Sequence, residues 1–151
     1  MNNFQQSREI LLVEDMSSHR DLILEALEEK NTQHKVHTVQ NGEEALHFLY
    51  QKNKYLHAPR PDLIVLDLNM PRINGHELLA IIKKDQYLKS IPAVVFTTSA
   101  SKEDILKTYA LSANCYVTKP ANLDNFFQVV QTMISFWCHS ATLPPKQYSD
   151  N

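Results

Sequence analysis

Five short apolar runs, each followed by a helical pattern, constrain this chain more than any other feature, because that alternation buries its apolar residues as a parallel sheet flanked by helices. Residues 10–13 read as the first strand. The helix after it has Ser18 and Asp21 at capping-box spacing, with Leu22, Ile23, Ala26 and Leu27 on one face. Residues 36–39 form a second strand polar enough for a sheet edge, and Asn41 with Glu44 caps a helix that buries Ala45, Leu46, Phe48 and Leu49. Residues 63–66 are apolar throughout and lead into Asp67, the pattern of a central strand covered on both faces. The loop 69–75 precedes a helix carrying Leu78, Leu79, Ile81 and Ile82, and residues 93–96 form a fourth strand. Ser101 and Asp104 cap a helix containing Ile105, Leu106 and Tyr109. Residues 115–117 are a fifth strand, and Asn122 opens a last helix through about Trp137. The fold class is therefore α/β, a doubly wound five-stranded parallel sheet. One connection, residues 51–61, exceeds the usual ~2 to 6 residues and is a place where function can reside.

With 151 residues and 43% apolar content the chain has room for one ordinary core. It divides into a polar extension (1–8), a domain (9–138) and a tail (139–151) containing Pro144 and Pro145, expected to be extended or disordered from Ser140 onward. No apolar run approaches the roughly 20 residues of a membrane span, and no signal-peptide core is present, so a cytoplasmic protein is expected. The net charge of -2 and the scattered lysines and arginines disfavour nucleic acid as a partner. Gly42 and Gly75 are the two glycines of the chain, too few for Rossmann or P-loop phosphate cradles. Cys115 and Cys138 lack metal-site spacing and read as reduced packing thiols.

In an open parallel sheet, ligands bind beyond the carboxyl ends of the strands. Those ends carry Glu14 and Asp15 after the first strand, Asp67 after the third, Thr97 and Thr98 after the fourth, and Lys119 after the fifth. Ionised carboxylates at such close quarters need a cation. Mg2+ fits, with Asp15 and Asp67 as direct ligands, Glu14 acting through water and the Asn69 carbonyl supplying a further oxygen. Asp67 is then placed as a nucleophile toward phosphorus, forming an acyl phosphate. Lys119 neutralises charge on the transferring group, and the Thr97 hydroxyl hydrogen-bonds a phosphoryl oxygen. Taken singly, each residue has a plainer role: a capping aspartate, a solvated lysine, a β-branched strand threonine. Their joint placement at four strand ends overturns those roles.

These residues resemble the receiver (CheY-like) domains of response regulators over about residues 8 to 137. The matching runs are ILLVED at 10–15, DLIVLDLNMP at 62–71 with Gly75, VFTT at 95–98 and YVTKP at 116–120. The resemblance implies the strand order 2-1-3-4-5 with five flanking helices, magnesium at Glu14, Asp15, Asp67 and Asn69, and phosphoryl transfer from a histidine kinase onto Asp67. It also implies a switch in which Thr97 moves inward and the ring of Tyr116 follows, and a cis Lys119–Pro120 bond. Tyr116 reads equally well as an ordinary half-buried strand tyrosine. Such a protein is no enzyme beyond its own phosphotransfer and slow dephosphorylation. Thr98 departs from the small residue common there, which bears on transfer rate, and Asn69 and Ser99 bear on the lifetime of the acyl phosphate.

A closer resemblance is to the small cyanobacterial response regulators that pair with phytochrome histidine kinases, through YLHAPRP at 55–61, ANCY at 113–116, SFW at 135–137 and TLP at 142–144. It implies a phytochrome as the kinase and a homodimer. The tail is too short for an output domain, so output is expected through protein contacts. In the last helix Leu123, Phe126, Phe127, Val130, Ile134 and Trp137 form a core-facing stripe, and Val129, Met133 and Phe136 a second stripe beside it. The second stripe is either a dimer or partner interface or is covered by the tail through Ala141 and Leu143. Three rival functions remain. A dehalogenase-type phosphatase wants an acid where Asn69 stands, and a flavin-binding domain wants a phosphate cradle where two acids stand. A pseudo-receiver, an interaction module that is not phosphorylated, is the more serious rival, although neither the acids nor the lysine is lost.

Overall fold

The computed structural model describes residues 6–146. Five strands, β1 (Glu9–Val13), β2 (Lys35–Val39), β3 (Leu63–Leu66), β4 (Ala93–Thr97) and β5 (Cys115–Thr118), form one parallel sheet in the order β2-β1-β3-β4-β5. Helices α1 (Ser17–Glu29), α2 (Gly42–Leu49), α3 (Gly75–Lys84), α4 (Lys102–Ala110) and α5 (Leu123–Ser135) connect and flank them. The expected α/β architecture and strand order are both present.

The sheet divides the core. Leu11, Val13, Ile64, Leu66 and Val95 pack with Phe48, Leu78, Leu79 and Ile82 on the α2 and α3 side. Ile10, Leu12, Leu63, Val65, Val94 and Phe96 pack with Ile23, Leu27, Phe126, Val130 and Ile134 on the α1 and α5 side. All four residues of β3 are buried, as a central strand requires, whereas at the edge Val39 alone of β2 is buried.

Local signals set the helix starts. The Asn41, Ser101 and Asn122 side chains accept from the backbone N–H groups of Glu44, Asp104 and Asn125, and Asn74 with Glu77 makes a full capping box. The expected Ser18 cap is not formed: α1 begins at Ser17 after Met16, which offers no capping side chain. The loop after β1 is simply too short to postpone the helix. Gly75 stands where a Cβ would lie 2.4 Å from the Asp67 carbonyl oxygen. The start of α3 therefore presses on the tip of β3.

Three further expectations are corrected. Among the described residues no peptide bond is cis, so Lys119–Pro120 is trans, the form an X-Pro bond prefers by roughly 0.5–1 kcal/mol. Met133 is buried and Leu123 is 54% exposed, because the inward face of α5 runs through Phe126, Val130, Met133 and Ile134 at helical spacing. The α-helix stops at Ser135 and a π-helical turn (Phe136–Ser140) follows. Beyond it the chain returns to the sheet: Leu143 is buried, and Lys146 Nζ lies 3.8 Å from Asp62 Oδ2. The rest of the tail, like residues 1–5, lies outside the described residues. The long connection is packed down, with Ala58 buried, Tyr55 bonded to Glu44 at 2.7 Å and Arg60 stacked over Tyr87.

Candidate functional site

Each strand of the central trio ends in a residue with chemical capacity. β1 runs directly into Glu14, which is 1% exposed, and β3 into Asp67, which is 5% exposed. Thr97 closes β4 and is fully buried. Lys119 follows β5, where its backbone N–H donates to the Thr97 carbonyl at 2.7 Å, so the fourth and fifth strand ends are tied together.

The Lys119 side chain, 1% exposed, reaches back across the strand ends. Its ammonium donates to Glu14 Oε1, to Asp67 Oδ2 at 2.8 Å and to His19 Nδ1 at 2.9 Å, and it lies 5.7 Å from the centre of the Phe96 ring. Burial pushes the Glu14 carboxyl up to about 7, although Lys119 pulls it down. At Asp67 burial acts in the same upward direction, but the bond and charge of Lys119, with Thr97 and the Asn69 N–H, outweigh it and leave that carboxyl below its usual value. Lys119 thus bridges the two carboxylates at the tips of β1 and β3.

Asp67 Oδ1 accepts one long bond, 3.3 Å, from the Asn69 N–H. Glu14, His19 and Asp67 offer ligand atoms that all lie within 4.8 Å of one another. Asp15 is half-buried beside them and is not one of that trio, while Asn69 and Thr98 are exposed. Tyr116 is half-buried, and its hydroxyl donates to the Ser99 carbonyl at 2.8 Å, in the loop after β4. The Thr97 hydroxyl accepts from the Ser99 N–H at 3.4 Å, so Ser99 links the two.

His19 is the site residue that sequence reasoning missed. A signal was present: it stands one helical turn beyond Asp15, and a helix starting so soon after β1 must lean its first turn over the strand end. Of the expected second stripe on α5, Val129 is half-buried against the core and Met133 lies within it. Phe136 is 52% exposed, meets Trp137 edge to face and lines a cavity of about 730 Å3 with Leu27, Ile134 and His139.

Acids beyond β1 and β3, a hydroxyl on β4 and a lysine beyond β5 of a 2-1-3-4-5 sheet define a class of signalling protein, and the chain belongs to it: the family model of the response regulator receiver domain matches residues 10–131. Within it the chain is related to the phytochrome-associated regulators. It is 44% identical over 135 residues to the response regulator Rcp1 of Synechocystis sp., covering 89% of this chain and 92% of that protein. The crystal structure of the phosphorylated cyanobacterial phytochrome response regulator RcpA is 48% identical with a TM-score of 0.89, over 93% of this chain and all (100%) of that one. The Mn2+-bound form of Rcp1 is 43% identical with a TM-score of 0.86, over 91% of this chain and 99% of that one. Among the described residues no helix is long and apolar enough to cross a membrane.

Proposed function

We propose that this chain is a phosphorylation switch of a two-component pathway, accepting a phosphoryl group on Asp67 from a sensor histidine kinase of phytochrome type and signalling through changed protein contacts. One observation carries the reading: a buried ammonium, Lys119, shared by the carboxylates of Glu14 and Asp67 at the tips of adjacent strands. A buried ion pair contributes little net stability, since desolvation offsets the attraction. Its presence at strand ends, where open sheets bind ligands, argues for chemistry.

Asp67 Oδ1, the less engaged oxygen, attacks the phosphorus of a phosphohistidine. The new P–O bond forms as the P–N bond breaks, and the departing imidazole keeps the electron pair and takes a proton from solvent. Lys119 neutralises charge on the transferred group, and the buried Thr97 hydroxyl accompanies it as a donor to a phosphoryl oxygen. Tyr116, tied to the same loop through Ser99, then reports the position of Thr97 to the surface.

The residues fit Mg2+. Two buried carboxylates with Asp15 beside them share a single ammonium, a set of hard oxygen donors that suits a divalent cation. Glu14, Asp15, Asp67 and the Asn69 carbonyl would hold the ion, which when bound supplies charge neutralisation for phosphoryl oxygens. The Mn2+ held by Rcp1 supports a divalent ion here.

In this reading residues 9–138 act as the receiver, in the cytoplasm beside its kinase, and the chain turns over no substrate other than its own phosphoryl group. Phe136, with Val129 beside it, is the contact of a homodimer. Incubation with Mg2+ and acetyl phosphate will label the protein with base-labile phosphate, and Asp67→Asn will abolish the label. Undiminished labelling in that variant would move the phosphoacceptor elsewhere, and a wild type that takes up no label would favour the pseudo-receiver alternative.

A further inference from the structure

An ammonium has three N–H bonds, and Lys119 spends all three inside the site: on Glu14, on Asp67 at 2.8 Å and on His19 at 2.9 Å. The three acceptors are unequal. Two are carboxylates, whose own negative charge strengthens the bond to the ammonium, and the third is an uncharged ring nitrogen. Because the ammonium has no lone pair, Nδ1 of His19 must be the bare nitrogen, with the ring proton on Nε2. His19 is also the outermost of the three, half-buried in the first turn of α1, whereas Glu14 and Asp67 are almost fully covered. Its ring is propped against Phe126, with centroids 6.1 Å apart, so its position does not depend on Lys119 alone.

A phosphoryl group on Asp67 brings new anionic oxygens to a lysine that has no free N–H to offer. One of the three bonds must be given up, and the one to the uncharged ring on the solvent side is the weakest. The geometry points to His19 as a positioning residue that holds the third N–H of Lys119 in the unphosphorylated protein and yields it to a phosphoryl oxygen on Asp67. The inference rests on the assignment of Asp67 as phosphoacceptor. Its consequence is specific in sign: His19 stabilises the resting state alone, because in the modified state the same N–H is satisfied by phosphate. Removing the acceptor leaves a buried donor unpaired at rest, and the phosphoryl mimic then binds more tightly.

The test uses beryllofluoride with Mg2+ as the phosphoryl mimic, titrated by calorimetry into the full chain, together with the 15N NMR signal of the Lys119 ammonium at rest. His19→Leu keeps bulk against Phe126 but has no acceptor, with His19→Met as a second apolar variant should the first fail to fold. His19→Asn retains an acceptor close to the position of Nδ1. The expected result is an affinity for beryllofluoride about tenfold higher in His19→Leu, with the resting Lys119 signal shifted or lost to exchange. His19→Asn should match the wild type in both. A merely structural role would weaken the mimic or leave it unchanged, and either result in His19→Leu overturns the inference. So does a His19→Asn variant that behaves like His19→Leu. If the wild type binds no beryllofluoride, or Asp67→Asn binds it equally well, it is the Asp67 assignment that has failed, and the inference falls with it.

Discussion

Tyr50 and Asp85 tie the end of α2 to the end of α3, the Tyr50 hydroxyl donating to Asp85 Oδ2 at 2.6 Å while the backbone N–H groups of Tyr87 and Leu88 donate to Oδ1. The Tyr50 bond, aided by those N–H groups, holds the Asp85 carboxyl below its ordinary value of 3.8. A carboxyl lowered by folding adds stability that is complete above its unfolded pKa and is lost as pH falls through the folded one. The difference in urea midpoint between wild type and Asp85→Asn should therefore be full near about pH 6 and close as pH drops below 3.8. A difference that persists undiminished in acid would show that the carboxylate charge is not what the pair contributes. The partner's sign is opposite: burial, then Asp85, pushes the Tyr50 phenol up to about 12, so this pair weakens the fold as pH rises above 10.

The element that most directly sets the site is the junction of β3 with α3. Gly75 lets the first turn of α3 lie on the backbone of Asp67 and Leu68, where a Cβ would sit 2.4 Å from one carbonyl oxygen and 2.6 Å from the Leu68 Cα. Backbone atoms cannot rotate aside as a flexible side chain can. Gly75→Ala must displace α3 or the tip of β3, and a loss of roughly 1–3 kcal/mol is expected from such overpacking, read as a lower urea midpoint at unchanged slope. Because the displaced backbone carries Asp67, labelling by acetyl phosphate should also slow. Normal stability together with normal labelling would mean that the junction has slack that the close approach denies. Gly42 has a similar role one helix away, where a Cβ would meet the Ile73 carbonyl oxygen at 2.4 Å in the loop leading to α3.

At the scale of the whole molecule, α5 and the segment after it are shared between covering the sheet and facing a partner. The inward face of α5, with Cys138 and Leu143 further on, is buried, which leaves Phe136 as a large apolar side chain standing outward beside the cavity that ends α1 and α5. Tail residue Leu143 does not cover it, since Phe136 remains 52% exposed while Leu143 is buried. If the chain self-associates through this face, Phe136→Glu should shift sedimentation velocity toward the monomer and remove the dependence of the unfolding midpoint on protein concentration. An unchanged dimer would place the contact elsewhere.

The alternation of apolar runs and helical patterns determined the sheet, its central strand and the helix caps at Asn41, Ser101 and Asn122, because periodicity and capping are local and are written in consecutive residues. The same reading placed Glu14, Asp67, Thr97 and Lys119 at strand ends, since the end of an apolar run marks the end of a strand. What it could not decide were relations between segments far apart in the chain. Tertiary packing alone brought His19 to Lys119, 100 residues away, rotated α5 so that Met133 faces inward and Leu123 outward, and folded Leu143 back into cover. Each of those outcomes depends on which surfaces meet, and helical spacing gives the width of an apolar face but not the direction in which the sheet lies.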